Sequence, residues 1–102
     1  MKNKEQYESI CFEVISAAGT AKSCFLEAID AAKNKESYLD IQEEGIKAFS
    51  DAARAHAKAL QLEAEENLDF GLLLIHAETI LCSAETIRDL SSTIIELINK
   101  TN

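Results

Sequence analysis

The chain contains no proline, no tryptophan and only three glycines in 102 residues. So few turn-makers exclude a fold of many short strands joined by tight turns. Basic residues are also scarce, ten against eighteen acidic ones, for a formal net charge of −8. Nucleic acids and anionic membranes need a basic surface, so neither is expected as the main partner. The cysteines, Cys11, Cys24 and Cys82, are odd in number and form no C-x-x-C. That supports neither a disulfide framework nor a thiolate zinc site. They read as reduced thiols packed as small hydrophobes. The longest apolar run, Leu72-Leu73-Leu74-Ile75, falls far short of the ~20 residues of a membrane span. Met1–Gln6 leads into no uninterrupted apolar segment, so no signal peptide and no membrane insertion are expected. A cytoplasmic protein of one domain, residues 1–102, is the expectation.

What the chain does have is helix-forming composition and helical period. Ala, Glu, Leu, Ile and Lys dominate. A heptad runs Tyr7, Cys11, Val14, Ala18, Ala21, Phe25, Ala28, Ala32, apolar or aromatic at every step. It predicts a first helix over about residues 4–33 with one buried seam. Gly19 inside it suggests close helix packing or a slight bend, and Asn34 suits the C-cap. Ser37 suits the N-cap of a second helix over about 37–66, with Asp40 three residues on. Its seam is read as Leu39, Ile46, Ala53 and Leu60 in one row, and Gln42, Phe49, His56 and Glu63 in the other. The second row is half polar, so this helix is less buried or carries polar groups into an interface. After a break at 67–71 comes a third helix, about 71–99. Its rows are read as Leu73, Ile80, Ile87, Ile94 and His76, Ser83, Leu90, Leu97. Leu74, Leu81, Ile95 and Ile98 widen the stripe beyond what one pair of neighbours can cover. Three thin rods from so short a chain bury little surface. Together these features predict an all-α, up-down-up bundle that self-associates through the third helix.

The catalytic inventories come up nearly empty. No phosphate-binding loop, dinucleotide fingerprint, H-E-x-x-H or G-x-S-x-G is present. Runs such as Glu63-Ala64-Glu65-Glu66 read as solvated faces. The Glu-x-x-His pattern of carboxylate-bridged metal proteins fails, since Ala53 precedes His56 and Leu73 precedes His76 at that spacing. Two histidines remain as side chains that ionise near neutrality and offer a nucleophilic nitrogen. His76 stands out, in a seam position after Leu72–Ile75 with Glu78, Thr79 and Ser83 beside it. A lone histidine on an apolar face is more often a hydrogen-bonded core residue than a reactive one, so spacing alone leaves both readings open.

The segment Leu72-Leu73-Leu74-Ile75-His76-Ala77-Glu78-Thr79-Ile80-Leu81-Cys82-Ser83 resembles the active-site segment of the lactose/cellobiose-type IIA components of the bacterial phosphoenolpyruvate-dependent sugar phosphotransferase system. There the pattern runs approximately as three apolar residues, His, Gly or Ala, Gln, Asp, His, Leu, Met, then Thr or Ser. The likeness extends along the chain, through Phe12–Ile15 with Ala18–Ser23, Phe25–Ile29 with Ala31–Asn34, and Ile87–Leu90 with Ile94–Leu97. It implies three-helix protomers associated as a homotrimer of nine helices. It implies that His76 takes a phosphoryl group from the phosphocarrier protein HPr and passes it to a cysteine of a IIB component. An acidic carrier suits basic patches on such partners.

The chain departs from that pattern at three places. Thr79 stands where the family has an Asp that resembles a metal ligand on the trimer axis, and a neutral hydroxyl is a poor substitute toward a hard divalent ion. No metal and no cofactor are therefore expected. Ile80 replaces a second His, and Glu78 replaces Gln, bringing a negative charge near an incoming phosphoryl group. The family's helix-2 His does not align cleanly, and His56 lies within a turn of it. Glu78, Thr79, Ser83 and His56 are thus candidate neighbours of a catalytic His76. The departures also admit a divergent, non-catalytic helical interaction or regulatory protein.

Overall fold

The computed structural model of the chain describes residues 2–66 and 71–101. It contains three helices, α1 (Lys2–Lys33), α2 (Leu39–Glu66) and α3 (Leu72–Thr101). One core cluster joins Tyr7, Cys11 and Val14 of α1 to Ala55 and Ala59 of α2 and to Leu74 and Ala77 of α3. A cluster further along joins Ala28 and Ala32 to Ile95, with Tyr38 and Ile41 packed beside them. So α1 and α3 run in one direction and α2 in the other, an up-down-up bundle. Its extents are 55 × 18 × 16 Å. The radius of gyration is 16.1 Å, against about 13 Å for an ordinary domain of this length. The accessible surface is 6589 Å², compared with about 5,700 Å² for a typical monomer of this mass.

The heptad read from α1 is the axis of the fold. All eight of its residues, from Tyr7 to Ala32, are buried. Ile10, Cys24 and Ala31, one step to the side, are buried as well. The helix is buried on so wide a front because it packs along both neighbours, whereas α2 and α3 touch each other only sparsely. By length and composition alone α1 is apolar enough to cross a bilayer. Here that apolar surface forms the centre of the bundle.

The seams of α2 and α3 lie one residue away from the rows expected. In α2 the buried positions are Gly45, Ala52, Ala55 and Ala59. Leu39, Ile46, Ala53 and Leu60 face outward. In α3 the buried positions are Leu74, Ala77, Ala84, Ser91 and Ile95. Leu90, Ile94 and Leu97 are exposed, while Leu73, Ile80, Ser83 and Ile87 are half-buried. The reason is size. Small side chains let the helix axes approach, and close approach is what seals a three-helix core. Choosing the bulkiest apolar row picks the flank of the seam instead. The half-polar row of α2 does carry polar groups into an interface: Phe49 lies under the Arg88 guanidinium at 4.6 Å, and His56 and Glu63 bond to neighbouring helices.

The junctions are equally local. Glu36 N–H donates to Ala31 O at 2.8 Å and Lys35 N–H to Ala32 O at 3.1 Å. This 6→1 and 5→2 pair is a Schellman motif with Asn34 as C-cap. The left-handed residue is Lys35, at φ 60°. The cap of α2 is Tyr38, whose carbonyl accepts from Gln42 N–H at 2.9 Å, not Ser37. Gly71 plays that part for α3, accepting from Ile75 N–H at 3.3 Å. Positions 67–70 of the expected break lie outside the described residues. Gly19 has nothing within 4 Å of where a Cβ would stand, so close packing does not explain it. Gly45 is the tight one: an added Cβ would meet Phe25 Cε1 at 2.9 Å and Cys24 Cβ at 3.1 Å.

The two helical glycines therefore respond oppositely to alanine. Gly19→Ala gains helix propensity and is expected to stabilise by about 0.5–1 kcal/mol. Gly45→Ala presses on a fully buried ring and is expected to destabilise by about 1–3 kcal/mol despite the same propensity gain. Thermal unfolding followed by circular dichroism reads both, with Tm rising for the first and falling for the second. Lys35→Gly removes a side chain from a left-handed position and is expected to raise stability by about 1 kcal/mol in the same assay.

Candidate functional site

The site is built on the start of α3. With Gly71 capping it, α3 begins at Leu72 and reaches His76 in its second turn. The seam positions Leu74 and Ala77 are fully buried and fix the rotation of this turn. That rotation turns His76 outward, and its side chain is exposed. It heads the outer row in which Ile80, Ser83, Ile87, Leu90, Ile94 and Leu97 follow at helical spacing. The imidazole thus sits at the end of an open apolar stripe, accessible to another molecule.

The four candidate neighbours separate into two groups. Thr79 and Ser83 lie one and two turns along the same side of α3 as His76. Thr79 is exposed, and its hydroxyl donates to Ile75 O at 2.9 Å. Glu78, two positions from His76, points about 200° away around the helix. It meets α2 there, where His56 Nε2 lies 2.8 Å from Glu78 Oε2. A carboxylate only accepts, so Nε2 carries the proton and donates. The His56 side chain is 22% exposed and that of Glu78 38%. The structure therefore brings His56 and Glu78 together with each other, on a different side of α3 from His76.

Behind this pair lies a polar cluster absent from the sequence reading. Tyr7 hydroxyl donates to Glu63 Oε2 at 3.3 Å. Burial first, then the neighbouring Cys11, Glu63 and Glu78, push the Tyr7 phenol up to about 12. Burial, then Glu63, Glu8 and Glu78, also push the Cys11 thiol up. Cys24 is shifted upward by burial, then by Glu44 and Glu27. Both thiols stay protonated and weakly nucleophilic. Cys82 departs from the expectation of three packed cysteines, since it is exposed. The signal for the cluster was present in Tyr7 and Glu63 as seam positions. Their pairing depends on the antiparallel register of α1 and α2, which period alone does not set.

Among the described residues, no group of three or more His, Cys, Asp or Glu side chains is placed to hold a metal ion. The Thr79 hydroxyl donates to the helix backbone.

Known proteins agree with this architecture along nearly the whole chain. The family model described as the lactose/cellobiose-specific IIA subunit of the phosphotransferase system matches residues 9–99. The lichenan-specific phosphotransferase enzyme IIA component of Bacillus subtilis is 35% identical, over 94% of this chain and 90% of its own length. The lactose-specific EIIA component of Staphylococcus epidermidis is 31% identical, over 96% and 97%. That of Streptococcus mutans is 31% identical over the same shares. A match this long, carried by three helices with an accessible histidine at the head of the third, means that the chain belongs to the lactose/cellobiose-specific IIA family of the phosphotransferase system.

Proposed function

We propose that the protein is a cytoplasmic phosphocarrier that accepts a phosphoryl group from HPr on His76 and delivers it to a cysteine of a IIB component during sugar uptake. The observation that carries this reading is the exposure of His76 on a helix whose early seam residues, Leu74 and Ala77, are sealed. A sealed imidazole would have suited a purely structural role. In the first step a ring nitrogen of His76 attacks the phosphorus with its lone pair. The phosphorus–nitrogen bond of the donor breaks as the new one forms, and the donor's imidazole leaves with the electron pair. In the second, a IIB thiolate attacks the same phosphorus and His76 leaves. Such a transfer asks for positioning and charge stabilisation more than for covalent machinery.

The same reading includes a homotrimer. Its support is the uncovered apolar surface, above all Leu72, Leu90, Ile94 and Leu97 on α3, with Phe12 and Leu26 on α1 and Leu39, Ile46 and Leu60 on α2. Exposed apolar surface of this extent on a thin bundle marks an association face.

Incubation with phosphoenolpyruvate, enzyme I and HPr is expected to place one acid-labile phosphate on the wild type and none on His76→Ala. An unlabelled wild type, or equal labelling of the variant, overturns the carrier reading in favour of a non-catalytic interaction module. Light scattering at micromolar concentration is expected to give a mass near three times the 11.2 kDa of the chain; a monomer refutes the trimer.

A further inference from the structure

We infer that His56 is a positioning residue for phosphoryl transfer, holding the Glu78 carboxylate against α2 and away from the incoming phosphoryl group. The inference rests on the proposed role of His76 and concerns a different side chain on a different helix. Glu78 places a negative charge two residues from the nucleophile. A phosphoryl group in flight carries nearly two negative charges, so a free carboxylate nearby would oppose both its arrival and its residence. The structure disposes of that charge by geometry. Glu78 leaves α3 on the side facing α2, and the 2.8 Å bond from His56 Nε2 fixes it there.

The asymmetry of the pair shows which partner does the holding. The His56 ring is the more enclosed of the two, on a helix anchored by buried Ala52, Ala55 and Ala59. Glu78 is the more exposed of the two. Two other described groups feel the Glu78 charge, and neither is a cation. Tyr7 spends its hydroxyl on Glu63, and Cys11 is a buried thiol. Without the bond from His56, the Glu78 carboxylate loses the contact that ties it to α2, and the charge of Glu63, which acts on the same Tyr7 and Cys11 groups, favours its turning outward.

The test measures the rate of His76 labelling by phosphorylated HPr in four proteins: wild type, His56→Ala, Glu78→Gln and the double variant. His56→Ala is expected to be about three- to tenfold slower, the effect of one freed charge in a largely aqueous dielectric. Glu78→Gln is expected at or above the wild-type rate, and the double variant restores it. Raising the salt concentration is expected to shrink the His56→Ala deficit through screening, which a packing defect would not show. Thermal melting and light scattering check that all four remain folded and equally associated. Labelling of His56→Ala at the wild-type rate overturns the inference. So does a double variant as slow as His56→Ala, or a deficit indifferent to salt. In each of these cases wild type is still labelled at His76 and the carrier reading stands; a wild type that takes no phosphate removes both.

Discussion

Everything in this bundle depends on how closely α1 can be approached from two sides. Its seam alternates alanine with a few large side chains, and the facing seams of α2 and α3 are made largely of Gly, Ala and Ser. Such residues bring helix axes together and gain dispersion contacts, but each buries little apolar area. Gly45 is the extreme case, admitting the Phe25 ring where even a methyl group would collide. The larger aliphatic side chains then have no room inside. They line the outside of α2 and α3, which is why a stable interior and an apolar exterior occur in the same small chain.

The same constraint explains what could be read from the sequence. The seam of α1 was legible residue by residue, because a helix packed on two sides gives an unbroken apolar repeat. The seams of α2 and α3 were displaced by one residue, because their buried rows are small and their exposed rows are large. Hydrophobic size normally reports burial, and here it reports the uncovered flank. The C-cap at Asn34 was legible from composition, whereas the left-handed Lys35 was not, since lysine carries no preference for that conformation. His76 was found by its surroundings in sequence. The bond between His56 and Glu78 needed the register of α2 against α3, a property of the packed bundle alone.

The candidate site has a division of labour between the faces of one helix. One face of α3 presents His76 among uncharged side chains, Thr79, Ile80 and Ser83. Another gathers the ionisable groups, with Glu78 bonded to His56 and standing near Tyr7 and Glu63. Thr79 belongs to the same scheme: it puts no charge on the outer face, and its hydroxyl folds back onto the helix. On α3 the charged side chains lie away from the stripe that a second molecule would cover, and Glu78 among them is paired between helices.

The central place of α1 also governs the order in which the protein can assemble during synthesis. α1 leaves the ribosome before α2 and α3, yet one of its two buried flanks is covered by α3, made after both. Tyr7 and Val14 belong to a cluster with Leu74 and Ala77, and Ala28 to one with Ile95. An α1–α2 hairpin can form early, since those helices are joined by a short turn. It must then wait with one flank of its central helix uncovered until the 30 residues of α3 emerge. In that interval the hairpin offers the nascent chain's most adhesive surface, and the speed with which α3 follows becomes part of what keeps the protein from associating wrongly.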